Sequence, residues 1–224
     1  MKTKIRIANG QGFWGDSLQA PIDLIKNGNI DYLTLDYLAE VTMSIMQKQK
    51  NKNPLFGYAH DFIHFIDTIS KDFKESNIKI ITNAGGVNPI ECATQIKKIL
   101  KNNNISKKIA IVEGDNITEK ITGYINDGYS FNNMETGSSI ESILDNICSA
   151  NIYIDSFNIK KALDLGADIV LCGRVSDPGL SVGPALHEFK WNRNEYNKIA
   201  SATLAGHIIE CGAQATGGNH TKWK

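Results

Sequence analysis

Three side chains near the carboxyl end of the sequence have the types and spacing of a reactive site. In the segment AGHIIECGAQ, Glu210 and Cys211 follow His207 at three and four residues, so all three share one face of a predicted helix. Imidazole and carboxylate can exchange protons, and both can ligate a metal. A zinc site would need more ligands, and the remaining histidines that could supply them include His60, His187 and His220. We predict that His207 and Glu210 are catalytic acid–base groups, and we assign no metal.

Two further segments place charged residues directly after apolar runs. VEGD contains Glu113 and Asp115, and GRVSDPG contains Arg174 and Asp177. A carboxylate beside an arginine is held ionised, whereas one desolvated beside another carboxylate can serve as an acid or a base. We therefore predict catalytic roles for Glu113 and Asp115 and ligand-binding roles for Arg174 and Asp177. Helix capping by the two aspartates remains open as an alternative.

The segment TNAGGVNP could hold a carboxylate, a phosphate or a developing oxyanion. Gly85 and Gly86 allow backbone N–H groups to turn toward a ligand, Asn83 adds an amide, and a helix beginning near Asn88 adds a positive dipole. We predict that these four residues bind ligand. The alternative is a tight strand-to-helix connection, with Asn88 and Pro89 starting a helix that ends near Leu100.

The glycines of NGQGFWG have the spacing of a dinucleotide-binding turn, and Asp36 stands where a ribose-binding acid is expected. Two aromatic side chains within the turn and the charge of Asp16 at the following helix start argue against a bound pyrophosphate. An NAD-dependent oxidoreductase therefore stays an alternative. We predict instead that the turn forms one wall of the site, with its contacts made by Gly12, Phe13, Trp14 and Asp16.

Five short apolar runs, each followed by a polar loop and a helical segment, must position these residues. They are IRIA (5–8), YLTL (32–35), IKIIT (78–82), IAIV (109–112) and DIVLC (168–172). Such a repeated order predicts one α/β domain over residues 1–224: a mainly parallel β-sheet flanked by helices in a Rossmann-like three-layer arrangement. The site is expected at the carboxyl ends of the strands. Residues 129–139, rich in Asn, Ser and Gly, are expected to form an exposed excursion.

Composition narrows the class of protein. The 24 Lys and Arg balance the 24 Asp and Glu, and no basic cluster is interleaved with aromatic residues, so we expect no nucleic-acid partner. Four dispersed cysteines form no CxxC pair, which favours a reducing compartment. No apolar run is long enough for a membrane span or a signal peptide, so we expect no membrane partner and a cytoplasmic location.

Seven motifs taken together, in this order, resemble the acyclic terpene utilisation protein family. They are GQGFWGD (10–16), DYLTLDYLAEVTMSIM (31–46), GYAHDF (57–62), TNAGGVNP (82–89), VEGD (112–115), ALDLGADIVLCGRVSD (162–177) and AGHIIECGAQATGGN (205–219). The resemblance implies a cytosolic role in the catabolism of citronellol, geraniol and related branched acids, handled as coenzyme A thioesters. It supplies no established catalytic residue, and no cofactor is assigned.

Two departures from the family pattern shape the expectations about partners. Family members continue beyond the TGGN element, so this chain resembles an amino-terminal half, and Lys222 stands where the family has an acid. We therefore expect a homo-oligomer or association with a separate carboxyl-terminal domain, beside a small-molecule acyl substrate. The functional prediction is a lyase or hydratase acting on branched acyl compounds. The alternatives are a non-catalytic acyl-binding or partner subunit and the oxidoreductase.

Overall fold

The computed structural model describes residues 2–216 and contains one five-stranded sheet over that range. The strands are β1 (Ile7–Gln11), β2 (Tyr32–Leu35), β3 (Lys79–Thr82), β4 (Ile109–Val112) and β5 (Ile169–Cys172). All neighbouring pairs are parallel, in the order β1-β2-β3-β5-β4. This arrangement confirms the predicted α/β fold with a parallel sheet between helical layers.

Helices fill the connections between the strands and cover both faces of the sheet. They are α1 (Gln19–Asn27), α2 (Glu40–Lys52), α3 (His60–Glu75), α4 (Pro89–Asn102), α5 (Ile121–Asn126), α6 (Ser156–Asp164), α7 (Gly179–Glu188) and α8 (Tyr196–Glu210). On one side α3 packs against α1 and α4, and on the other α7 packs against α6 and α8. Right-handed crossovers explain why the helices divide between the two faces of the sheet, because the chain moves in one direction across the sheet from β1 to β4 and turns back at β5.

Successive side chains along the strands point alternately into two separate hydrophobic cores. Leu33, Leu35 and Ile80 belong to the core beneath α1, α3 and α4. Tyr32 and Ile81 belong to the opposite core, together with apolar residues of α6 and α7. Because both faces are buried, the strands are apolar at successive positions, which is why their sequences predicted them well.

The first strand is displaced toward its carboxyl end relative to the prediction. Its register against β2 shifts between Asn9 and Gln11, so pairing continues through Gly10. A Cβ on that glycine would lie 2.7 Å from Cβ of Pro21. The first glycine of the predicted turn is therefore a strand residue that lets α1 approach the sheet closely.

Several predicted helix caps have other roles in the structure. Asp177 does not cap α7, whose N-cap position is Pro178, and Asp16 precedes the N-cap Leu18 of α1 without bonding to it. Asn88 is the N-cap residue of α4 by position, but its side chain makes no cap hydrogen bond. Asp16 instead accepts from the N–H groups of Gly12 and Ser17, Asp177 pairs with Arg174, and Asn88 donates to carbonyl oxygens more than thirty residues away.

Two further features concern the surface. Residues 129–139 lie outside regular helices and strands and are almost all exposed, as expected. Within residues 2–216, no helix combines the length and apolar character needed to cross a membrane.

The last residues of the chain lie outside the described range. They include Gly217, Gly218, His220, Lys222 and Trp223.

Candidate functional site

The centre of the carboxyl-terminal edge is a buried hydrogen-bond network between the ends of β2 and β3. Asn83 Nδ2 donates to Asp36 Oδ1 at 2.7 Å, and the backbone N–H of Tyr37 donates to Asn83 Oδ1 at 2.7 Å. The backbone N–H of Leu38 also donates to Asp36 Oδ1, at 3.1 Å. Asn83 thus uses both ends of its amide to lock the two loops together.

Asp36 is a buried carboxyl group with altered acidity. Burial is the main cause that raises its pKa from 3.8 to about 6. The hydrogen bonds from Asn83 and Leu38 and the charge of Arg174 oppose the rise, while the charge of Asp177 adds to it. A carboxyl group with a pKa near neutrality can carry or release a proton under physiological conditions.

Arg174 follows β5 and connects the loops from three strands. Its side chain donates to Leu38 O at 2.8 Å and to Tyr153 Oη at 3.2 Å, and it lies 3.0 Å from Asp177 Oδ1. The guanidinium also stacks over the Tyr153 ring, 4.4 Å from its centroid. Since Arg174 is only 5% exposed, its charge acts in a region of low dielectric, where it offsets the carboxylates around it.

Asp115 positions the chain around Arg174 instead of capping a helix. Its Oδ2 accepts hydrogen bonds from the backbone N–H of Arg174 at 2.9 Å and from Asn151 Nδ2 at 2.8 Å. A Cβ on Gly173 would lie 2.5 Å from Asp115 Oδ1. The carboxylate is therefore packed directly on the β5 loop, and Gly173 is required for that approach.

Helix α8 is brought to this edge by close backbone contacts. A Cβ on Gly206 would lie 2.8 Å from Cβ of Pro178, and one on Gly12 would lie 2.6 Å from the carbonyl oxygen of Cys211. The Asn9 side chain donates a hydrogen bond to the carbonyl oxygen of Glu210. These contacts fix both the middle and the end of α8 against the sheet edge.

The result is a cluster of three potential metal ligands, formed by Asp177, His207 and Glu210. One ligand atom from each lies within 4.8 Å of the others. Burial, together with the negative charges of Asp177 and Asp36, raises the pKa of Glu210. The cluster can move protons, and its donor atoms are of the types that hold a divalent cation.

A groove of about 570 Å³ begins beside this cluster and runs between α6, α7 and α8. Asp177 and His207 belong to its lining, and among the lining residues within the range 2–216 Arg193 is the one Lys or Arg. The apolar part of the wall comprises Phe157, Pro178, Val182, Leu186, Tyr196 and Ile199. Its volume lies within the range of roughly 300–1,000 Å³ that ligand pockets have.

The predicted residues of the first turn divide their contacts, because Trp14 packs toward α3 whereas Gly12 lies against the end of α8. Trp14 Nε1 donates to Asp61 at 3.1 Å, and Trp14 packs against the core of α1, α3 and α4. Asp16 accepts hydrogen bonds from the N–H groups of Gly12 and Ser17, while Phe13 is exposed. The backbone of Cys211 fills the space beside Gly12, which disfavours a pyrophosphate there.

The TNAGGVNP loop uses several of its polar groups internally. The N–H of Gly86 donates to Asn83 O, and a Cβ on Gly85 would lie 2.6 Å from the carbonyl oxygen of Cys172. Asn88 Nδ2 donates to the carbonyl oxygens of Pro54 and Phe56. These bonds match the alternative of a tight connection, and the predicted ligand-binding roles of the four residues stay predictions.

A separate hollow of about 230 Å³ brings other predicted residues together. Gly86, Asn88, Glu113 and Asp115 all line it, as does Lys50, whose Nζ donates to Val87 O at 2.7 Å. Glu113 is exposed. The structure thus divides the predicted catalytic residues between this hollow, with Glu113 and Asp115, and the α8 cluster, with His207 and Glu210.

Sequence reasoning did not find the two features that make the α8 cluster a site. The sequence places Asp36 where a ribose-binding acid is expected, but it does not indicate that Asp36 is a buried acid. Asp177 was predicted to bind ligand but was not paired with His207. Of the histidines named as possible partners, His60 lies against Phe56 and Tyr58 and His187 against Asp164, while His220 lies outside the described residues. The closeness of Asp177 arises from packing of Gly206 on Pro178, which has no local sequence signal.

The sheet order and the polar groups at its carboxyl edge define a three-layer α/β protein whose candidate site lies where such folds bind ligands. Within that class the chain belongs to the acyclic terpene utilisation family, because the family model described as acyclic terpene utilisation family protein AtuA matches residues 5–224. No curated protein and no solved structure matches the chain.

Proposed function

We propose that this protein is a cytoplasmic enzyme of terpene catabolism that adds to, or eliminates from, branched isoprenoid acyl compounds derived from citronellol or geraniol and carried as coenzyme A thioesters. The observation that best supports this proposal is the apolar groove beside Asp177 and His207. A branched hydrocarbon chain gains free energy by leaving water for such walls, and its reactive end would then lie beside groups that can transfer protons.

In this proposal the groove places an unsaturated acyl group next to α8. His207 accepts a proton from water as the water oxygen bonds to the β-carbon. Glu210, in its acid form, donates a proton to the α-carbon, and the proton taken up by His207 then passes to Glu210, which restores both groups. The sum is addition of one water across the double bond without any redox change, and elimination is the reverse.

Arg193 also supports binding of an acyl ligand in the groove. Its guanidinium stacks 4.1 Å from the centroid of Phe157 and pairs with Asp155 at 2.8 Å, and it belongs to the groove lining. It offers a positive charge for a phosphate or carboxylate of the ligand. Asn83 and Arg174, already bonded within the protein, act in this proposal by positioning Asp36 and Asp177.

The test is turnover of a branched enoyl-coenzyme A, such as geranyl-coenzyme A, by single variants. His207→Ala and Glu210→Gln should each lower kcat about 10²–10⁴-fold, as expected for loss of a general acid or base. His187→Gln is the matched control, because His187 is bound to Asp164. Full activity of both α8 variants would refute the assignment, and loss on Glu113→Gln alone would move the reaction to the other hollow.

A second pair of variants tests the groove itself. Ile199→Trp enlarges a side chain of the lining and should raise KM for a branched substrate. Ser201→Trp changes an exposed residue of the same helix that does not line the groove and should leave KM unchanged. Equal effects of both substitutions would show that the chain binds elsewhere.

The expected association also has a supporting observation. Leu204 and Ile208 of α8 are 65% and 60% exposed and four residues apart, so they share a helix face. Apolar side chains presented together commonly face a partner. We propose that the chain forms a homo-oligomer through this face of α8. Light scattering after size exclusion should give a multiple of 24.7 kDa, and Leu204→Glu should reduce it to the single-chain mass.

A further inference from the structure

We propose that Asp177, His207 and Glu210 bind one divalent transition-metal cation. The cluster combines an imidazole with two carboxylates from two different elements, the loop before α7 and the last turns of α8. The inference concerns binding alone. A bound cation would occupy the His207 and Glu210 atoms that the proposed hydration uses for proton transfer, so the two proposals describe the metal-loaded and the metal-free cluster and are tested separately.

The geometry of the three side chains suits a small cation. Their ligand atoms lie within 4.8 Å of one another, while donors around a cation bound at about 2.0–2.2 Å are roughly 3 Å apart. Closing that difference requires rotation of side chains, which the exposure of His207 and Asp177 permits, although Asp177 is also paired with Arg174 at 3.0 Å. His207 and Glu210 are three residues apart on α8, which turns both toward the same ligand.

The charge balance around the cluster favours a bound cation. Asp36, Asp177 and Glu210 interact through their negative charges. Arg174 is a nearby cation, but its guanidinium is engaged with Leu38 O, Tyr153 and one oxygen of Asp177. A divalent cation would offset the remaining repulsion.

One carboxylate oxygen of the cluster also lacks a partner. Glu210 Oε2 is shielded from solvent and receives no hydrogen bond from any residue in the range 2–216. A shielded, unpaired carboxylate oxygen costs free energy unless a donor or a cation meets it. This atom therefore leaves Glu210 with a carboxylate oxygen that a cation could satisfy.

The backbone around the ligands is fixed by contacts that do not involve their side chains. Gly206, adjacent to His207, packs on Pro178, adjacent to Asp177. Asn9 holds the carbonyl oxygen of Glu210. These contacts hold the ligand backbones in place before any ion binds, which favours affinity because little ordering is required on binding.

The donor set indicates the class of cation. Imidazole suits zinc, iron, copper and nickel, and carboxylates extend the range to manganese. Ca²⁺ is disfavoured because it takes six to eight oxygen ligands. Zn²⁺ and Mn²⁺ are therefore the first probes, and Co²⁺ adds a visible absorption spectrum that reports direct coordination.

The experiment is calorimetric titration of the full chain, freed of metals by a chelator, with Zn²⁺ and Mn²⁺, and absorption titration with Co²⁺. We expect one ion per chain. Asp177→Asn, His207→Gln and Glu210→Gln should each weaken binding at least about tenfold, since each removes one ligand. His187→Gln and Glu113→Gln are the matched controls and should bind as the unaltered protein does.

Two outcomes would overturn the proposal: no binding of any probe at millimolar concentration, or binding that the three ligand variants leave unchanged. Circular dichroism of each variant identifies any that fail to fold. If Glu210→Gln is among them, His207→Gln keeps the test decisive, because its side chain is exposed. Activity is measured separately, so metal binding can fail while the proposed hydration holds, and the reverse.

Discussion

Asn83 donates a 2.7 Å hydrogen bond to Asp36 and accepts one of equal length from the backbone of Tyr37. The two residues follow adjacent parallel strands. A single amide therefore joins the two loops at the middle of the sheet edge and stabilises the ionised form of the buried carboxyl group.

Removing that amide should destabilise the protein. Asn83→Ala leaves the N–H of Tyr37 without its acceptor and Asp36 without a donor, and we expect the free energy of unfolding to fall by about 2–4 kcal/mol. Urea denaturation checks this value. Asn103→Ala, at an exposed helix end, should change it by less than about 0.5 kcal/mol. Equal losses in the two variants would contradict the role assigned to Asn83.

Replacing the acid should change how stability depends on pH. The folded protein keeps a proton on Asp36 up to about pH 6, while the unfolded chain releases it near pH 3.8. Stability contributed by this group is therefore fully present below pH 3.8 and is lost as pH rises through about 6. Asp36→Asn should abolish this pH-dependent loss of stability, because an amide does not ionise.

The measurement compares Asp36→Asn with the unaltered protein by urea denaturation from pH 4 to 8 in the presence of a chelator. The variant's relative stability should grow by up to roughly 3 kcal/mol as pH rises. Its amide oxygen can still accept from Asn83 and Leu38. A difference that is constant with pH, or that shrinks as pH rises, would show that Asp36 ionises normally in the folded state.

Glycine substitutions test the packing of α8. Gly206→Ala would place a Cβ 2.8 Å from Cβ of Pro178 and 2.9 Å from its carbonyl oxygen, so α8 must move away. We expect a loss of about 1–3 kcal/mol, together with weaker binding at the adjacent cluster. Gly123→Ala, on α5 with nothing within 4 Å of the added carbon, should be neutral or stabilising by up to about 1 kcal/mol. Thermal melts of both variants decide the point.

The cysteines should differ in reactivity. Cys92 and Cys172 are buried, and burial raises the pKa of both thiols above the ordinary range, so neither should react with an alkylating reagent in the folded protein. Cys148 and Cys211 are exposed and should react, with Cys211 slower because partial burial and Glu210 raise its pKa. Mass spectrometry after timed alkylation identifies the sites. Rapid labelling of Cys172 would contradict the buried position of β5.

The strands and most helices could be predicted because their signals are local. A strand buried on both faces must be apolar at successive positions, and β2 (Tyr32–Leu35) and β4 (Ile109–Val112) fall where predicted. The first strand was misplaced because Gly10 is typical of a turn. Gly10 nevertheless lies in the sheet, because Pro21 occupies the space that a side chain at position 10 would need. This contact joins residues eleven positions apart, so it has no local signal in the sequence.

The candidate site could be predicted only in part. Its general location follows from the fold class, and His207 and Glu210 were selected because a helix brings residues three apart together. The functions of Asn83 and Asp115 could not be chosen, because a polar residue after a strand can bind ligand, cap a helix or join two loops. Which of these it does depends on the neighbouring strand, and the order β3-β5-β4 has no local signature.

The sequence by itself therefore determined the α/β class, the family and the edge of the sheet where polar residues gather, since apolar runs, loops and ordered motifs are properties of short segments. Only the tertiary structure decided that Asp177 would lie beside His207 and Glu210, and that an apolar groove would begin beside them. The physical reason is that both depend on α8 packing on Pro178 through Gly206, an approach set by shape between distant parts of the chain.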